Sequence, residues 1–113
     1  MKTLTDKDIL NGVLTPGIFD DLLPETTDQF YNWVTDNCHV VRAFYERACE
    51  LFEKGNRQFY SAYCIREKLR WDSMIGEVGT EYKISNNVTP HLARLTMVLD
   101  PRLSGMFKLK TTN

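Results

Sequence analysis

From Asn37 to Gly55 the chain keeps one helical rhythm. Val40, Val41, Phe44, Ala48, Leu51 and Phe52 recur at three- and four-residue spacings, which lays them along one stripe. Glu46 and Glu50 fall on the wet side with Arg42 and Arg47. Lys54 in the last turn and Gly55 just beyond it form a stop signal. A stripe of this kind is buried against neighbouring elements.

The chain before it is acidic and punctuated. Thr5 with Asp8 reads as a capping box, predicting a short helix from Asp6 to Leu10 or Gly12. Thr15-Pro16-Gly17 breaks it, and Ile18, Phe19, Leu22 and Leu23 allow one more turn before Pro24. Residues 1–25 are therefore expected to be an acidic arm packed on a single globular domain, residues 26–113. Thr26 and Gln29 predict a second capped helix carrying Phe30, Trp33 and Val34 on one side, interrupted at Thr35-Asp36-Asn37.

A third strong helix is predicted near Gln58 to Ile75. Ala62, Ile65 and Leu69 share one face, and Tyr60, Cys64, Trp71 and Ile75 lie nearly opposite. Apolar residues on two sides predict a helix sandwiched between neighbours. Arg66 and Arg70 fall on the flank, suited to ion pairs with Glu67 or Asp72. After Gly76 and Gly79, "TEYKIS" alternates as a strand, with Tyr82 and Ile84 inward and Lys83 outward. Thr89-Pro90 signals a helix start, with Thr89 as N-cap. Leu92, Leu95 and Leu99 define its buried stripe, Arg94 and Met97 point away, and Asp100-Pro101 ends it. "MFKLK" (106–110) reads as a second strand. The expected fold class is α+β, mainly α: a helical domain closed by a two-stranded antiparallel ribbon, winged-helix-like in layout.

Composition bounds the class. The chain has 113 residues, 42% of them hydrophobic and 12% aromatic, which is one domain with a real core and not a disordered segment. No apolar run reaches the ~20 residues of a membrane helix, and "MKTLTDKDIL" lacks the apolar centre of a secretory signal. The expected location is the cytoplasm. Cys38, Cys49 and Cys64 are an odd set with no close pair, and no spacing joins them to His39 or His91 as a metal site. No cofactor is expected.

Three segments, "YSAYCIREKLRW" (60–71), "YKISNNVTPHLAR" (82–94) and "PRLSGMFKLK" (101–110), together resemble a group of small phage and mobile-element proteins. The shared pattern runs Tyr-Ser-Ala, Ile, Arg-Trp, then Lys-Ile with an asparagine turn, Ala-Arg, and Pro with Gly-x-Phe. Tyr60, Ser61, Ala62, Ile65, Arg70, Trp71, Lys83, Asn86, Asn87, Ala93, Arg94, Pro101, Gly105 and Phe107 match it. Ser85 and Met106 depart from it. The likeness covers the second half of the chain and implies a phage or prophage context, carried by a host cell, but no chemistry.

No nucleophile elbow, P-loop or dinucleotide fingerprint occurs, and neither histidine stands in a nucleophile motif. A non-enzymatic protein is expected. Charge is unevenly spread: five Lys/Arg against ten Asp/Glu in residues 1–55, nine against five in residues 56–113. That basic half suits an anionic partner. The expected partner is DNA. Arg66, Arg70, Lys83, Arg94, Lys108 and Lys110 would hold phosphates, with Asn86, Asn87 and His91 near bases or backbone. The alternative is an inhibitor of a host protein, docking through Tyr60, Trp71, Ile75 and Met97, residue types that dominate interface hot spots. The Trp71 face also fits a homodimer seam.

Overall fold

The Thr5 capping box closes as the sequence predicts. The Asp8 amide donates to Thr5 Oγ1 and the Thr5 amide donates to Asp8 Oδ2, each at 3.1 Å. It opens α1 (Asp6–Val13) in a computed structural model that describes residues 3–15, 24–55, 60–75, 84–85 and 87–107, without the side chains of 24, 25 and 75. Four further helices follow: α2 (Pro24–Asp36), α3 (Cys38–Lys54), α4 (Ala62–Ile75) and α5 (Thr89–Leu99). A single 3-10 turn, Pro101–Leu103, comes after α5.

Asn37 separates α2 from α3. Its backbone leaves the helical region, and its side-chain amide donates to the Trp33 carbonyl at 2.8 Å, satisfying a carbonyl that the helix end would otherwise strand. α2 begins at Pro24, two residues before the expected Thr26 cap, and proline suits a first helical turn. The α3 stripe is buried at Val40, Val41, Phe44 and Ala48, but Phe52 is exposed. Tyr45 and Cys49 are buried in its place, so the stripe rotates toward α5 and its following turn.

α1 and α5 meet at Gly12. A methyl group there would stand 2.7 Å from Leu99 Cδ2 and 2.9 Å from Leu95 Cδ1, so only glycine lets the two helices approach without displacing leucines. Ile9 and Val13 of α1 join Phe30, Val34, Phe44, Leu92 and Leu95 in one core. The interior is thus built where α1, α3 and α4 surround α5, with α2 packed on α1 and α3. Ile18, Phe19, Leu22 and Leu23, expected to add a turn, lie outside the described residues.

The expected α+β class, with its two-stranded ribbon and winged-helix layout, is incorrect. Among the described residues there is no strand or sheet. One isolated parallel bridge joins Tyr60 to Phe107, with the Tyr60 amide donating to the Met106 carbonyl at 3.0 Å. The alternation in "MFKLK" fails at its start, because Met106 and Phe107 are both buried although neighbours. Phe107 packs its ring 6.0 Å from that of Phe44, drawing the segment to α3. Ile84 is buried as expected, but Ser85 immediately turns the chain into α5: its hydroxyl accepts from the Val88 amide, 3.2 Å. Among the described residues the two runs supply Ile84, Met106 and Phe107 as buried anchors and no ladder, while Tyr82, Lys83, Lys108, Leu109 and Lys110 lie outside the described residues.

The α5 start is also shifted. Val88 holds the N-cap position, and Thr89 lies inside the helix with its hydroxyl donating back to the Ser85 carbonyl at 2.9 Å. α4 begins at Ala62 and not near Gln58, and it is not sandwiched. Ala62, Ile65 and Leu69 are buried, while Cys64 and Trp71 face outward.

Candidate functional site

Among the described residues, those expected to hold DNA do not form one open surface. Arg66 is the clearest case. Its side chain is only 15% exposed, its Nε donates to the Ile84 carbonyl at 2.6 Å, and its guanidinium also pairs with Glu67. It ties α4 to the segment that leads into α5. Arg70 stands 3.6 Å from the same Glu67 carboxylate. His91 is half-buried, its ring edge-on to Phe30 at 5.3 Å, so it contributes to the α2–α5 contact. Arg94 is half-buried on α5, and Asn87 is exposed in the turn before it. Lys83, Asn86, Lys108 and Lys110 lie outside the described residues.

The residues expected at a protein interface divide sharply. Tyr60 is half-buried and held by its bridge to Phe107, and Met97 packs against the core. Trp71 is 60% exposed. Ile75 ends α4, and its side chain is not described. Two residues that sequence reasoning passed over join Trp71: Met74 is 57% exposed and Tyr63 42%. At about 100° per residue these three, with Glu67 and Arg70, fall within an arc of about 100° on α4. Their spacing from Trp71 was a usable signal. It was masked because Ile65 and Leu69 interleave with them and made the whole helix look buried.

The opposite flank of α4 is fixed to α3 by charge. Arg47 reaches Glu50 at 2.8 Å and Asp72 at 3.4 Å, and Lys68 reaches Asp72 at 3.1 Å. Exposed pairs of this kind contribute little energy each, but they orient α4. Beside them a groove of about 530 Å³ runs between α3 and α4. Leu51, Tyr60 and Ile65 give it an apolar floor, and Lys54, Lys68 and the Cys64 thiol stand around it.

One buried polar cluster stands behind the core. Asp100 is fully buried. It accepts from the Tyr45 hydroxyl at 2.7 Å and from Arg102 Nη2 at 3.0 Å, and its Oδ1 caps the 3-10 turn through the Arg102 amide at 3.2 Å. The Arg102 guanidinium, above all, holds the Asp100 carboxyl well below its usual range, at about 2; burial opposes this, and the Tyr45 hydroxyl and Arg102 amide reinforce it. The same pairing raises the guanidinium of Arg102 above its ordinary value. Both oxygens of the carboxylate accept hydrogen bonds, so it joins α3, α5 and the turn.

Cys38, Cys49 and Cys64 are all free thiols. Burial pushes the Cys38 thiol up, and its Sγ donates to the Val34 carbonyl at 3.3 Å. Among the described residues no group of three or more His, Cys, Asp or Glu is placed to hold a metal ion, and no helix is long and apolar enough to cross a membrane. Comparison with protein-family models, with curated proteins and with solved structures finds no match.

Proposed function

We propose that this chain is a non-catalytic protein-docking module, of the phage or mobile-element kind that the resemblance implies, acting in the cytoplasm of its host. Its docking face is the outer side of α4. One observation carries this reading: Tyr63, Trp71 and Met74 stand exposed on one side of a helix whose other side is anchored in the core. Large apolar side chains gathered on one outer face mark interaction surfaces, and aromatic residues dominate their energetics. The rigid backing matters equally, because an anchor that is already ordered loses little entropy on binding.

DNA is the weaker partner. Arg66 is committed to a backbone carbonyl and to Glu67, and Arg70 shares that carboxylate. The test has two arms. In the first, labelled duplex DNA is titrated at low salt, and no binding is expected. Binding whose log–log salt slope shrinks in Arg94→Ala plus Lys108→Ala would replace this reading with the DNA one. In the second, the purified chain is incubated with nuclease-treated host extract and with further copies of itself. The expected result is a protein complex that Trp71→Ala plus Met74→Ala abolishes. A complex indifferent to those substitutions removes α4 as the docking face.

A further inference from the structure

The exposed side of α4 has an internal symmetry. Tyr63, Glu67, Arg70 and Met74 follow the i, i+4, i+7, i+11 spacing of a helix-pairing seam. The order of their chemistry reverses about the point between Lys68 and Leu69. Tyr63 and Met74 are equidistant from that point, and so are Glu67 and Arg70. Resting on the docking reading above, we propose that the occupant of this face is a second copy of the chain, whose α4 lies antiparallel across it on a two-fold axis.

The axis turns each residue toward its mirror position. Tyr63 of one copy meets Met74 of the other, an aromatic ring against a polarisable thioether. Glu67 of one meets Arg70 of the other, and the two-fold repeats both layers, as an isologous interface requires. Four layers result, apolar at the ends and oppositely charged in the middle. Glu67 is 62% and Arg70 37% exposed; within one chain the Glu67 carboxylate pairs closely with Arg66 and stands 3.6 Å from Arg70, so it can accept from the partner copy's Arg70 while keeping Arg66. Trp71 lies on one flank of the seam, and an antiparallel two-fold brings both copies of it to the same flank. A parallel pairing would instead set Glu67 on Glu67 and Arg70 on Arg70, which like-charge repulsion rejects. Lys68 and Asp72, tied to α3 through Arg47, keep the other flank out of the seam.

The experiment is sedimentation of the full chain over a wide concentration range. One helix face is a small interface, in the class below roughly 1,200 Å² that associates reversibly, so a concentration-dependent monomer–dimer equilibrium is expected. Glu67→Arg alone and Arg70→Glu alone should each weaken it about tenfold or more, since each sets like charges in the central layers. Mixing the two single variants should restore association, because one copy then offers two cations to two carboxylates of the other. All four sites are on the surface, and the helical signal of each variant checks that the fold survives. A chain that stays monomeric throughout overturns the second copy as occupant; the docking reading then stands or falls on the α4-dependent complex with a host protein. A dimer that ignores both charge reversals and Trp71→Ala plus Met74→Ala overturns both. Weakening without restoration on mixing overturns the antiparallel register.

Discussion

The hydroxyl of Tyr45 on α3 donates to Oδ2 of Asp100, 2.7 Å away, across a sequence separation of 55 residues. This bond closes the middle of the chain onto the end of α5. Tyr45→Phe removes the donor and keeps the ring. Arg102 still pairs the carboxylate, so the expected loss is about 1–2 kcal/mol rather than the full cost of an abandoned buried charge. Urea unfolding followed by helical circular dichroism measures it. A change below about half a kcal/mol, the scale of ordinary surface substitutions, would mean that Arg102 alone satisfies Asp100.

The same carboxylate sets an acid limit. Its folded value of about 2 lies below the usual 3.8. A depressed carboxylate stabilises the fold above its unfolded value, and that stability is lost as pH falls through the folded one. The window is therefore about pH 4 down to about pH 2, and the loss is about 1–2 kcal/mol, allowing for the solvent around the half-exposed Arg102. Asp100→Asn should flatten that part of the unfolding free energy against pH and lower stability at neutral pH. An unchanged acid limb in Asp100→Asn would assign the acid sensitivity elsewhere.

Gly105 has φ of 80°, and a methyl group there would meet nothing within 4 Å. The cost of a side chain is thus backbone strain alone. Gly105→Ala should destabilise by about 1–2 kcal/mol, and Gly105→Asn by less, because asparagine tolerates the left-handed region. Thermal melts of the pair separate conformational strain from packing. Equal losses in both would point to packing.

The three thiols should differ in reactivity. Cys64 is exposed beside the α3–α4 groove, whereas Cys38 and Cys49 are buried and the Cys38 thiol is pushed up. A chromogenic disulfide reagent should modify one thiol quickly and the other two only as the fold opens. Cys64→Ser should remove the fast phase. Two fast equivalents would show that Cys38 or Cys49 is reached by local opening.

Local chemistry was legible at two short motifs, and not at Thr26 or Thr89, where α2 starts two residues before its expected cap and Val88 takes the α5 cap position one residue early. Thr5 with Asp8, and Asn37 after Trp33, act as their residue types predict. Helix periodicity also held where one face is apolar, as at Val40, Val41, Phe44 and Ala48. It failed on α4, because periodicity reports which residues are apolar and not how many neighbours come to cover them. The ribbon failed for a related reason. Ile84 and Phe107 are inward-facing as expected, but each is buried by helices, and a strand needs a backbone partner as well as a buried side chain. Charge was least legible. Arg66 and Arg94 look alike in sequence, yet only the tertiary path of Ile84 gives Arg66 a carbonyl to bind.

The close passage of α1 over α5 at Gly12 has a consequence for biosynthesis. α1 leaves the ribosome well before α5, yet Gly12 on its buried side packs against Leu95 and Leu99 of that later helix. Until α5 is made that contact must wait, with α2 and α3 the elements able to cover α1 meanwhile. Slow codons before α5 would prolong the wait, and a chaperone that recognises short apolar helices would find α1 a natural client.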